Sequence, residues 1–130
     1  AGLQNYAGII GMGSALDYLK KIGMNNIEEH ENKLGKFIAD NLADESKISV
    51  LGPERAGIYS FNIKGMDPHM VSLMLDKQNI MTRSGHHCVH SWFNAHKING
   101  SARASLYFYN TKEECEKFCE EVKKITKHLA

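Results

Sequence analysis

The chain places a thiol, Cys88, at the end of the hexapeptide Arg83-Ser84-Gly85-His86-His87-Cys88, among side chains that carry or can take up positive charge. A neighbouring arginine or protonated histidine lowers a cysteine pKa from about 8.5 and raises the share of nucleophilic thiolate. Gly85 allows the backbone to turn tightly there. Exposure on a loop would give a substrate access that a core cysteine lacks. Two other readings compete. In one, Cys88 fills a gap as a small hydrophobe and the histidines are surface residues. In the other, His86, His87, Cys88 and His90 bind zinc or copper. Spacing speaks against the metal, because adjacent side chains diverge in an extended segment and no second ligand cluster closes the shell.

Arg103 stands in a β-like run among Ala102, Ala104, Ser105 and Leu106. A cation flanked by small residues must reach solvent or find an anion. Its planar fork suits a carboxylate, such as that of a small amino-acid substrate, while an edge-strand arginine in water is the alternative. Cys115 and Cys119 are different. They fall four residues apart beside Phe118 and Val122, where a cysteine behaves as a small hydrophobe, so neither is a catalytic candidate.

The elements that must position these residues can be read from periodicity. Tyr6 to Ile22 repeats Ile9, Ile10, Leu16, Leu19 and Ile22 at helical spacing, thinned by Gly8, Gly11 and Gly13, and predicts a helix packed close to a neighbour that could lie outside this chain. Gly23 stops it, and Asn26-Ile27-Glu28-Glu29 offers a capping-box-like start to a second helix carrying Ile27, Leu34, Phe37, Ile38 and Leu42. Two β-like runs, 47–51 and 57–63, flank a Gly-Pro turn and could form a hairpin. Asp67-Pro68 is an N-cap with proline at the first helical position, ahead of the apolar stripe Met70, Val71, Met74 and Leu75. A short strand is expected over 79–83, then the polar and aromatic segment 84–93, then a strand over 102–109. Thr111-Lys112-Glu113-Glu114 is a capping box, and Cys115, Phe118, Cys119, Val122, Ile125 and Leu129 mark one face of the last helix.

With 130 residues, 42% hydrophobic and 24% charged, the chain has the makings of one globular domain. One α+β domain over 1–130 is expected, a short, mainly antiparallel sheet with helices on one face. Sixteen basic and fifteen acidic side chains give a net charge of +1, which steers the chain toward neither nucleic acid nor a membrane surface. No apolar run approaches the roughly 20 residues of a membrane span, and the N-terminus lacks a signal-peptide pattern. Three cysteines without a Cys-x-x-Cys pair suggest neither a disulfide framework nor a four-cysteine zinc site. The expected compartment is the cytoplasm.

The hexapeptide ending at Cys88, followed by Arg103-Ala104-Ser105-Leu106 and Tyr109-Asn110-Thr111, resembles the group II (Suf-type) cysteine desulfurases of the class V aminotransferase family, pyridoxal-phosphate enzymes of fold type I. The likeness runs in order from Ala1-Gly2 and Asn5-Tyr6-Ala7-Gly8-Ile9 to the capping box at Thr111. It implies the small C-terminal domain of a longer enzyme. It makes Cys88 the nucleophile that takes sulfur from L-cysteine as a persulfide, leaving L-alanine, and Arg103 the partner of the substrate carboxylate. Arg83, His86 and His87 belong to the active-site loop.

By the same resemblance, pyridoxal phosphate is the electron sink that allows the Cβ–sulfur bond to break. Its Schiff-base lysine belongs to a large domain for which this chain has no matching position. The isolated chain is therefore expected to be inactive and to bind no cofactor, and its opening in mid-motif suggests a piece of a longer protein. The full-length enzyme is expected to be a homodimer that passes sulfur to an acceptor protein for iron-sulfur cluster assembly. Leu3-Gln4 departs from the family's common Thr-Pro, whose threonine can help hold the cofactor phosphate. Two other functions use the same residues. A selenocysteine lyase has a substrate differing by one chalcogen atom, and a cofactor-free persulfide carrier would present only the thiol.

Overall fold

A computed structural model describes residues 2–52 and 57–128. Five helices and four strands follow one another along these residues: α1 (Tyr6–Ile22), α2 (Met24–Leu42), β1 (Ile48–Val50), β2 (Ile58–Ile63), α3 (Pro68–Asp76), β3 (Arg83–Gly85), α4 (His90–His96), β4 (Ser101–Ser105) and α5 (Lys112–His128). The strands form one antiparallel sheet in the order β1-β2-β4-β3. The expected α+β class and the β1–β2 pairing are observed, with Ile48 opposite Ile63. Most of the expected Gly-Pro turn lies outside the described residues.

Period-two alternation gives the sheet two unlike faces. Tyr59, Phe61 and Ile63 of β2 and Ala102 and Ala104 of β4 are buried on one face, under α2, α3 and α5. Phe118 of α5 meets Tyr59 and Phe61 edge-on, at ring separations of 6.5 and 5.9 Å. Burying each such large side chain contributes about 1.5–3 kcal/mol. The opposite, open face carries Ser60, Asn62, Arg83, Ser101 and Arg103, and the candidate site lies there.

Local signals explain most helix ends. Asp67 Oδ1 accepts from the His69 backbone N–H at 2.8 Å ahead of α3. The capping box of α5 closes both ways: Glu114 N–H donates to Thr111 Oγ1 at 3.3 Å, and Thr111 N–H donates to Glu114 Oε2 at 2.9 Å. At α2 the outcome differs. The helix starts at Met24, directly behind Gly23, with no side-chain cap. Asn26 turns back and donates to the Ile22 carbonyl at 2.7 Å, so it serves the end of α1 and not a capping box.

Three further expectations change. The strand placed at 79–83 is shifted to 83–85, because Asn79 adopts a left-handed φ of 58° just after α3 and the chain pairs only once it reaches β4. The last strand ends at Ser105, where Leu106 N–H donates to the Gly57 carbonyl and 107–110 turns back on itself. The segment after Cys88 contains a short helix, α4, that has no capping residue at Val89 to announce it. Helix α1 forms as expected, yet none of its residues is buried, and Tyr6, Ile9, Ile10, Met12 and Leu16 are exposed.

Candidate active site

The site is built where β3 runs out against β4. Arg83 stands opposite Arg103, Ser84 opposite Ala102, and Gly85 opposite Ser101. The two backbones come very close at Gly100. A Cβ added there would lie 3.0 Å from the Gly85 carbonyl, and its φ of +77° is itself unsuited to a side chain. Two glycines thus let the turn that follows β3 sit directly against the start of β4. His69, at the start of α3, fixes β3 from the helix-covered face of the sheet through a 2.8 Å hydrogen bond between Nδ1 and Ser84 Oγ.

After Gly85 the chain reverses within four residues, closed by a 2.9 Å hydrogen bond from Val89 N–H to the His86 carbonyl. The central residues, His87 and Cys88, have φ of 49° and 63°. Two consecutive left-handed residues make a turn of the type I′ kind, which favours glycine, asparagine and aspartate. For ordinary side chains that backbone costs about 1–2 kcal/mol per residue, and such strain gathers at functional positions. Cys88 is thereby held on the surface as a free, exposed thiol.

The histidines do two separate things. His87 turns inward, with Nε2 2.9 Å from Ser101 Oγ and 3.1 Å from the Ser101 carbonyl. His86 stacks on His90 of α4 at 4.7 Å and meets the buried Phe93 edge-on. Among the described residues no group of three His, Cys, Asp or Glu side chains could hold a metal ion. Burial, and then the nearby Arg103 charge, hold the His87 pKa below its ordinary value, so this ring is neutral at pH 7. The expectation that a protonated histidine supplies positive charge is therefore not met at His87. The permanent positive charges near this ring are those of Arg103 and Arg83.

Arg83 and Arg103 face each other directly across two strands, an arrangement that is destabilising for like charges left alone. Arg103 is half-buried, and its Nε–H is fully buried with no hydrogen-bond partner. An unmet buried donor costs about 1–3 kcal/mol. A carboxylate would relieve both penalties, by accepting from the guanidinium fork and by placing negative charge between the cations. Close by, Asn62 donates from Nδ2 to the Gly100 carbonyl at 3.0 Å while its Oδ1 is buried without a partner.

The structure thus brings Arg83, His86, His87, Cys88 and Arg103 to one end of the open face, and sequence reasoning missed Asn62, Phe93, Gly100 and Ser101. Period-two alternation could have found Ser101 and Asn62, since each lies two positions from a residue on Arg103's face. Phe93 gave no such signal. Cys115 and Cys119 lie in the core instead, where burial pushes both thiols up to about 11.

Residues 1–118 match the family model for aminotransferase class-V. The chain is 41% identical over 133 aligned positions to a probable cysteine desulfurase of Pyrococcus abyssi, covering 99% of this chain and 33% of that protein. A probable cysteine desulfurase of Halalkalibacterium halodurans is 39% identical over 124 residues, covering 95% and 30%. Among solved structures, the apo cysteine desulfurase of Thermococcus onnurineus superposes with a TM-score of 0.92 at 39% identity, covering 98% of this chain and 33% of that one. The cysteine desulfurase CsdA of Escherichia coli, in an S-sulfonic acid form, gives 0.88 at 26% identity, covering 95% and 31%. The chain spans about a third of the length of the relatives it matches. On sequence and fold together, it belongs to the class V aminotransferase family, with cysteine desulfurases as its relatives there.

Proposed function

We propose that this chain is the small C-terminal domain of a group II cysteine desulfurase, in which Cys88 takes sulfur from L-cysteine and Arg103 holds the substrate carboxylate. The observation that carries the reading is the pairing of an exposed thiol in a strained turn with an unpartnered, buried guanidinium N–H one strand away. A reactive nucleophile and an anion anchor are the two groups that a domain must offer to a free amino acid.

The family's cofactor, pyridoxal phosphate, withdraws electrons from the substrate when bound in the full-length enzyme. By the resemblance, its lysine belongs to a domain outside this chain. Leu3 is almost wholly exposed and offers its phosphate no donor. The work of this domain is on the substrate's side. Arg103 accepts the carboxylate into its fork and orients the substrate sulfur toward the turn. Cys88, once its thiol proton has left, attacks that sulfur. A sulfur–sulfur bond forms as the Cβ–sulfur bond breaks, its electron pair departs with the carbon, and protonation of that carbon gives alanine. The persulfide on an exposed turn is open to an acceptor protein, consistent with sulfur delivery for iron-sulfur cluster assembly in the cytoplasm by a homodimer.

The test uses the full-length parent enzyme with pyridoxal phosphate and L-cysteine. Alanine should appear together with a Cys88 peptide heavier by one sulfur atom, and Cys88→Ala should abolish the persulfide. Failure of the parent to make either product would refute the assignment. Selenocysteine turnover that survives Cys88→Ala, with cysteine turnover slow in the wild type, would move it to the selenocysteine lyases.

A further inference from the structure

Resting on that reading, we infer that His87 is a positioning residue: its imidazole ties the Cys88 turn to β4 at Ser101 and thereby fixes the nucleophile relative to Arg103. A carbonyl oxygen only accepts, so the 3.1 Å contact to the Ser101 carbonyl requires hydrogen on Nε2. The ring is then the Nε2–H tautomer, with a lone pair on Nδ1, which is buried and has no partner. The two ends of this tie are well defined. Ser101 is wholly buried and lies two residues before Arg103 on the same face of β4. Cys88 is the next residue after His87, within the same pair of left-handed backbone positions.

Something must hold that strained turn in place. The Val89-to-His86 hydrogen bond closes it locally, and Phe93 packs against both rings, but the Nε2 bonds are the contacts that reach across to β4. Neutrality is part of the device. A second proton on Nδ1 would be buried without an acceptor, facing Arg103 of β4, Arg83 of β3 and His86 of the same turn; His90 of α4 stacks on His86. Protons therefore bind the loosened turn first as pH falls below the ordinary histidine value. The tie holds above that value and is lost progressively below it.

Glutamine and asparagine separate this role from simple space filling. Glutamine can place an amide N–H near the position of Nε2, whereas the shorter asparagine ends near Nδ1 and cannot reach Ser101. In the full-length enzyme His87→Ala should lower kcat for L-cysteine on the order of 10- to 100-fold, through displacement of the nucleophile, with KM changed by less than about threefold. His87→Gln should recover most of kcat and lose the acid limb of its pH profile, and His87→Asn should recover little. Unchanged kcat in His87→Ala, or equal kcat in the Gln and Asn variants, overturns the inference. If His87→Ala does not fold, the Gln–Asn comparison decides alone. Should the wild type make no alanine, the desulfurase reading fails separately. The same two variants are then compared by the alkylation rate of Cys88, which must change in Asn and not in Gln for the tie to stand.

Discussion

Cys88 occupies an exposed turn with φ of +63°, whereas Cys115 and Cys119 lie four residues apart on the buried face of α5. The first thiol is held out by a backbone conformation that ordinary side chains avoid. The other two sit in relaxed helical geometry, and burial pushes each up to about 11. The contrast teaches that placement separates these thiols. Burial favours the neutral form and denies access, so a core cysteine serves packing, while an exposed thiol on a strained turn stays open to reagents and, under the proposed function, to substrate.

The comparison breaks most visibly under alkylation. In the native protein at pH 8, iodoacetamide should label Cys88 more than about 100-fold faster than Cys115 or Cys119, whose thiolate fraction is roughly one in a thousand and whose access is blocked. Mass mapping of the alkylated peptides after timed quenching checks this, and comparable labelling of all three would dissolve the distinction. Denaturant should make the three rates converge.

Next in size is the effect at Arg103, the proposed carboxylate partner. Arg103→Ala should lower kcat/KM of the full-length enzyme for L-cysteine by about 10- to 100-fold, the worth of a charge-assisted hydrogen bond. Arg103→Lys keeps the charge but loses the fork, and should recover only part of that loss. Steady-state kinetics decide, and a Lys variant equal to wild type would show that charge alone matters there.

The smallest effect lies in the core thiols. An unfolded cysteine ionises near pH 9, while Cys115 and Cys119 remain protonated up to about 11. Between those values the folded state binds more protons, so stability should decline as pH rises through that window. Denaturant midpoints taken at pH 8 and pH 10.5 should differ in the wild type and differ less in Cys115→Ala/Cys119→Ala. An identical shift in the double variant would assign the decline to other groups.

Much of this arrangement is legible in the sequence. The capping box at Thr111, the Asp67-Pro68 helix start, the alternation in β2 and the apolar face of α5 are local codes, each decided by residues within a few positions of one another. The hexapeptide around Cys88 carries the candidate chemistry, and its charge in a run of small residues singles out Arg103. Less legible were features that depend on partners distant in sequence. The strand placed at 79–83 moved because pairing with β4 set its position, and α4 was hidden because it has no cap and its Phe93 is buried against the histidine turn.

By itself, then, the sequence determined which residues could act and which helices and strands they belong to, since propensity, capping and periodicity operate over short spans. The tertiary structure decided that Arg83 faces Arg103, that Gly100 meets Gly85, and that His87 turns inward to Ser101 and stays neutral while Cys88 is left outside. Strand register, burial and the sum of neighbouring charges set those outcomes, and none of them exists until residues far apart in the chain are packed together.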